Sequence, residues 1–295
     1  MNEVIKNRYE FSLFFDIENG NPNGDPDAGN MPRRDPETGL GIVTDVCLKR
    51  KIRNYIDFIK QDAVGYKIYV RNGVPLDTNR KWAYEQCDVD PPKKDGKVTA
   101  DEPAKEDYKK LTRFMCDNFY DIRAFGAVMT LTYNCGQVRG PVQLGFAKSI
   151  DAIMPQDISI TSCTYVKEDD KSSKMGRKGI VPYALYRVDG FISPCLALKE
   201  TGGTGFSTED LELFWDALKN MFEFDHSAAR AKMSSRALFV FKHESMYGNC
   251  PSNMLFELIT VKKREGVNVP RSFYDYIIDV KQDQIPQNVT LERML

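Results

Sequence analysis

Histidine is nearly absent: the 295 residues contain two, His226 and His243. Their spacing matches no zinc motif, and so thin a supply leaves carboxylates as the main candidates for any acid–base chemistry. Cysteine occurs seven times, but the nearest pair, Cys116 and Cys135, lies 19 positions apart. There is therefore no C-x-x-C unit, which excludes a zinc ribbon or a thioredoxin-type site. An odd, scattered set is no disulfide framework and fits a reducing cytoplasm. No uncharged apolar run approaches the roughly 20 residues of a membrane helix. Glu3, Lys6, Arg8, Glu10 and Asp16 interrupt the first twenty residues, so no signal-peptide core is expected. Charge of one sign is lacking too. Lys and Arg number 41 against 42 Asp and Glu, a net charge of −1, so the whole-chain basic signature of a nucleic-acid binder is missing. What is present is ordinary for a soluble globular chain: 42% apolar and 28% charged residues, enough for a full core without staples.

The distribution of charge says more than its sum. Residues 31–60 carry seven cations, including Arg33, Arg34, Lys49, Arg50 and Arg53, against four acids. Residues 171–178 hold Lys171, Lys174, Arg177 and Lys178 and no acid, whereas residues 85–107 hold eight acids against four lysines. Such segregation permits a local polyanion site on a neutral protein.

Along the chain, residues 8–17 alternate: Tyr9, Phe11, Leu13, Phe15 and Ile17 fall on one face, and Arg8, Glu10, Ser12 and Asp16 on the other. The pattern predicts a half-buried strand. Residues 18–44 follow, rich in Gly, Pro, Asn and Asp, and are expected to be a long loop without helix or regular strand. Loops of this length in compact domains are functional or disordered. Thr44 reads as the cap of a helix whose buried face is Leu48, Ile52, Tyr55, Ile56 and Ile59, with Lys49 and Arg53 on a solvent-facing side. Cations at a helix start oppose the macrodipole mildly, a cost that makes sense where an anion binds. Residues 65–120 read as a mostly helical insertion with a polar middle. From 122 the pattern returns to strands: 122–131, 142–150, and a long hairpin from 158–166 and 180–192 around a basic tip. A helix capped by Ser207 and Asp210 and a strand near 236–244 follow, then strand-like stretches at 255–261 and 274–280. Without the insertion the order is βαββαβ, the order of a ferredoxin-like or RRM-like sheet in an α+β architecture.

Each candidate site has a plain alternative. The loop 18–44 and the cationic helix start either grip phosphates through Arg33, Arg34, Lys49 and Arg53 or form an ordinary loop and solvated helix face. Asp25, Asp27 and Asp35 either hold Mg²⁺ or Ca²⁺ or serve turns; their spacing fails the EF-hand pattern. Gln137, Arg139 and Gln143, beside two glycines, either approach a nucleic-acid backbone or join two strands. At the hairpin tip, Met175 among Lys174, Arg177 and Lys178 suits an apolar wedge between stacked bases or is a plain surface turn. Residues 200–208 lack the lysine of a phosphate-binding P-loop. Both histidines are expected to sit satisfied in the fold.

Four segments in order, NGNPNGDPDAGNMPRRDPETGLGIVTDVCLKRKIRNYI, DIRAFGAVM, GQVRGPVQ and KMGRKGIVPYALYR, resemble the RNA-binding backbone subunits of type I-C CRISPR Cascade, within the Cas-seven family. The resemblance covers most of the chain. It implies an RRM-like palm (residues 1–64 and 121–295), an inserted helical fingers region (65–120) and a protruding β-hairpin thumb (about 155–183). It implies a non-catalytic subunit, with no cofactor, whose copies stack along the spacer of a crRNA. The thumb kinks the RNA at intervals, and the exposed stretches pair with target DNA in antiviral defence. Reading the guide's backbone and not its bases follows from that task. The RNA contacts it implies fall on Thr44, Lys49 and Arg53, with Arg50 a neighbour, and at the thumb tip on Lys174, Met175, Arg177 and Lys178. Further partners are other copies of the chain and the handle-binding and large subunits. A competing expectation is a metal-dependent ribonuclease. Type III backbone subunits resemble this fold, and some cleave RNA with an Asp in the loop after the first strand, where Asp25, Asp27 and Asp35 stand here.

Overall fold

The computed structural model describes residues 3–161, 163 and 175–295. Its centre is an antiparallel sheet with the opening strand, Tyr9–Gly20, in the middle. On one side this strand pairs with the long strand Met175–Ile192, Tyr9 opposite Ile192; on the other it pairs with Lys232–His243, Tyr9 opposite Lys242. Beyond the long strand come Ala147–Ala152 and then Leu40–Val43 at the edge. Val289–Arg293, a strand the sequence pattern did not suggest, closes the opposite edge.

One face of the sheet meets two helices, α1 (Asp45–Lys60) and α5 (Thr208–Asn220). Phe11, Leu13, Phe15 and Ile17 pack there with Leu48, Ile52 and Ile56 of α1 and Leu211, Phe214 and Leu218 of α5. The ring of Phe11 meets Phe214 and Trp215 edge-on at centroid distances of 5.6 and 5.3 Å. Ser207 and Asp210 form the expected capping box of α5, a device worth about 1 kcal/mol. Ile59, expected on the buried face of α1, is exposed, and Lys51 is buried in its stead. Lys51 can be buried because it meets the carboxylate of Asp225, 174 positions away.

The other face differs from the half-buried expectation. Phe14 joins Tyr183, Leu185, Phe239 and Phe241 under a cover built from residues 252–280. That cover is a short helix, Ser252–Glu257, and a hairpin of Ile259–Lys263 with Tyr276–Val280. Glu10, Ser12 and Asp16 are consequently buried. Glu10 meets His243 Nε2 at 2.5 Å, Ser12 donates to Asp189 at 2.6 Å, and Asp16 accepts from Tyr183 at 3.1 Å and Arg236 at 2.8 Å. Each group left unpaired would cost about 1–3 kcal/mol. The face an RRM uses to stack bases is thus closed. His243 is satisfied in the core, its Nδ1 accepting from the Asn249 amide at 2.8 Å; His226, contrary to expectation, is exposed.

Residues 65–120 contain α2 (Leu76–Cys87) and α3 (Lys105–Asn118), packed around Tyr69, Tyr84, Leu111, Met115 and Phe119. The stretch from 122, read as strand, begins instead inside a helical turn, α4 (Tyr120–Phe125). Arg123 forks onto Asp210 at 2.7 and 3.0 Å and holds this turn against α5. Strand starts only at Gly126, whose φ of 78° ends the helix. Likewise residues 252–257 are helix, and strand begins at Ile259.

The region 18–44 is more ordered than its composition suggests. The opening strand runs to Gly20, a small hairpin pairs the two-residue strands Gly24–Asp25 and Met31–Pro32, and Leu40–Val43 is regular strand. The long strand extends past the sheet, and its first residues pair with Gln156–Thr161, Gln156 opposite Ile180 and Thr161 opposite Met175. All six residues of Gln156–Thr161 are exposed.

Candidate nucleic-acid interface

The site begins where the region 18–44 enters α1. Thr44 is extended and its Oγ1 accepts the Cys47 amide at 3.3 Å. The same hydroxyl donates to Asn23 Oδ1 at 3.1 Å, which also takes the Thr44 amide at 3.0 Å. Thr44 is therefore committed to capping, and Asn23 clamps the loop to the helix start.

Lys49 and Arg53 do not lie on an open face as expected. Their side chains are 15% and 12% exposed, Lys49 pairing with Asp45 at 2.8 Å and Arg53 giving Nε to Asp121 at 2.7 Å. Both cations lie over the ring of Phe125, at 5.6 and 5.2 Å from its centroid. The reason is Asp121, a buried carboxylate on α4 that also accepts the amides of Tyr69 and Val70 at 2.8 and 3.1 Å. Arg50 donates to the Val70 carbonyl at 2.7 Å. Burial, and then the neighbouring Arg53, hold its pKa below the usual value. Three cations thus answer to two carboxylates, Asp45 and Asp121. The two terminal nitrogens of Arg53 have no hydrogen-bond partner among the described residues. An added anion would relieve the repulsion that Arg50 and Arg53 exert on each other.

The neighbouring hairpin brings Arg139 to the same place. Gly126, next to Phe125, lies opposite Arg139, and Val128 opposite Gln137. Strand alternation puts Val128, Gln137 and Arg139 on one side, and all three are exposed. A Cβ on Gly140 would stand 2.3–2.4 Å from backbone atoms of residues 124–126, so only glycine lets this loop seat against α4. Gln143 does not reach outward: its Nε2 donates to the Gly140 carbonyl at 3.0 Å and braces the loop.

On the other side of the α1 start lies an open cavity of about 470 Å³, bordered by Asn21, Asn23, Val46, Cys47, Arg50 and Arg230 among others. Arg33 pairs with Asp25 at 3.3 Å, and Arg34 is exposed. Both follow Met31 and Pro32, which lie against Gly179 so closely that a Cβ there would be 2.6 Å from Met31 Sδ. The small hairpin thus links the α1 start to the root of the exposed arm. On that arm Met175 is 72% exposed, and Arg177, also exposed, pairs with Asp157 at 3.4 Å. Lys178 is half-buried and points to the opposite side from Met175 and Arg177. Lys174 lies outside the described residues.

The loop carboxylates serve turns. Asp25 accepts the Asp27 amide at 3.2 Å; Asp35 accepts the Glu37 amide at 3.0 Å and the Thr38 hydroxyl at 2.8 Å. The backbone bond from Glu37, then the Thr38 hydroxyl, hold the Asp35 carboxyl below its usual range. Among the described residues no three His, Cys, Asp or Glu gather as a metal site would need.

A family model described as CRISPR-associated protein Cas7 matches residues 7–281. The chain belongs to the Cas7 family. A Cas7 relative from Haloferax volcanii is 28% identical over 303 residues, covering 94% of this chain and 81% of its own length. A chain of a solved CRISPR RNA-guided surveillance complex, pre-nicking, superposes with a TM-score of 0.51 at 14% identity, over 79% of this chain and 78% of that one. That likeness is one of fold. The Cas7 match takes in every residue of the candidate interface. Within this Cas7 chain, reading the sequence missed Asp121, Phe125 and Arg230. Phe125 fell inside the stretch 122–131 read as strand, whereas it ends the helical turn Tyr120–Phe125.

Proposed function

We propose that this Cas7-family chain is a non-catalytic backbone subunit of a CRISPR interference complex of the type I-C kind. Several copies oligomerise along the spacer of a crRNA in the cytoplasm. They hold its phosphates without regard to sequence and present its bases to target DNA. The observation that carries this reading is the pair Lys49 and Arg53 over Phe125, with Arg50 next to Arg53 and Arg139 opposite Gly126; cations there outnumber carboxylates, and the terminal nitrogens of Arg53 have no partner among the described residues. Guanidinium and ammonium donors at a ridge of backbone suit phosphate, which positions a strand but carries no base identity. The strand order from Lys232–His243 through Tyr9–Gly20 and Met175–Ile192 to Ala147–Ala152, with α1 and α5 on one face, supports an RRM-like palm of residues 1–64 and 121–295. Residues 65–120 then act as fingers, and the hairpin of about 155–183 as a thumb that kinks the RNA. The handle-binding and large subunits complete the assembly. The account is tested by purifying the protein from cells and measuring its nucleic acid. Bound RNA, and a uniform loss of affinity across unrelated sequences in a Lys49→Ala, Arg53→Ala variant, are the expected results. Protein free of RNA that binds none on titration would overturn it.

A further inference from the structure

We infer that the cavity at the start of α1 seats one phosphate of the guide strand between Arg50 on one wall and Arg230 on the other, with Asp225 positioning Arg230. This rests on the proposed function and adds to it a segment, residues 225–231, that neither the motif nor the resemblance drew attention to. The segment is built into the site. Asn21 donates its amide to the Ala229 carbonyl at 2.8 Å. A Cβ on Gly20 would stand 2.3 Å from the Arg230 carbonyl oxygen, so glycine at the end of the opening strand is what lets the segment close in. Its own turn is fixed by Ser227, which takes the Arg230 amide on Oγ at 3.2 Å and the Ala231 amide on its carbonyl at 2.9 Å.

The charges there are organised for an anion. Asp225 is buried, with 6% of its side chain exposed, and serves two cations, Lys51 and Arg230. Lys51 is itself 3% exposed and spends its charge on Asp225. Arg230 is 39% exposed and gives only Nε to Asp225 at 2.5 Å, so its terminal nitrogens have no partner among the described residues. With Lys51 and Asp225 cancelling, Arg50 and Arg230 leave the cavity cationic from both sides. Val46, in the first turn of α1, also borders it, and the helix start adds to the same field. A guanidinium held through Nε presents its remaining donors as a fork, the geometry that phosphate oxygens accept. Among the described residues that border the cavity, Asp225 is the only carboxylate.

The test measures binding of a short single-stranded RNA to the full chain over a series of salt concentrations, with urea unfolding of each variant as a control. Arg230→Ala is expected to weaken binding about tenfold or more and to reduce the slope of log K against log salt by about 0.7, the signature of one lost phosphate contact on a single strand. Arg230→Lys, which keeps the charge, is expected to retain most of the slope. Weaker binding with an unchanged slope would make Arg230 structural and overturn the inference. Wild-type affinity and slope in Arg230→Ala would overturn it while leaving the proposed function standing; a wild-type protein that binds no RNA would overturn both.

Discussion

Arg53 carries two loads, and one substitution separates them. Its Nε ties α1 to the buried Asp121, while its terminal nitrogens have no partner among the described residues. In Arg53→Gln the side-chain amide reaches about as far as Nε does and can still donate to Asp121, but the fork is gone, and with it the cation over Phe125 at 5.2 Å. In Arg53→Ala the bond to Asp121 is gone as well. A charge-assisted hydrogen bond contributes about 1.5–3 kcal/mol and a neutral one about 0.5–1.5; the ring contact adds about 0.5–1. Arg53→Gln is therefore expected to lower the unfolding free energy by about 2 kcal/mol, and Arg53→Ala by about 2–4 kcal/mol, read from urea midpoints at constant m-value. The RNA readout should not follow that order. If the fork holds a phosphate, both variants lose roughly ten- to a hundredfold in affinity and both show a shallower salt dependence. Near wild-type RNA binding in Arg53→Gln would refute the reasoning and reduce Arg53 to a tie between helices.

Three other outcomes follow from the same geometry. Asp225→Ala strands Lys51 in the core without its partner and is expected to cost about 3–5 kcal/mol, measured by urea unfolding; a loss under about 1 kcal/mol would show that Lys51 finds water. Incubated with complementary RNA and Mg²⁺, the RNA-loaded protein is expected to leave that RNA intact, because Asp25 and Asp35 are spent on turns. Cleavage that vanishes in an Asp25→Ala, Asp27→Ala, Asp35→Ala variant would establish the nuclease reading instead. Asp88, Asp90 and Asp95 are exposed on the acidic insertion. If they face a cationic flank of the next copy, reversing all three to lysine weakens assembly on long RNA in sedimentation, and unchanged assembly removes that role.

The local devices of the fold were legible because they depend on neighbours in sequence. Thr44 as a cap, the periodicity of Leu48, Ile52 and Ile56, and the Ser207–Asp210 box all act within one turn. What could not be read depends on distant partners. The polar face of the opening strand looked solvated because nothing nearby announces that His243, Asp189 and Arg236 will satisfy Glu10, Ser12 and Asp16. Lys51 looked like its exposed neighbours until Asp225 arrived from across the chain. Residues 122–125 looked like strand because the helical turn Tyr120–Phe125 is too short for a helical period to show, and Arg123 holds it through Asp210. For the site, the cations themselves were visible in the sequence. Their arrangement around Phe125 and Asp121, and the second wall at Arg230, were not.

The most direct test of the account is the affinity of the protein for several RNAs of equal length and unrelated sequence, each titrated across salt. A backbone-gripping site gives dissociation constants that agree within about a factor of two and weaken together, linearly in log–log form, as salt rises. Strong preference for one sequence, or binding that ignores salt, would contradict it.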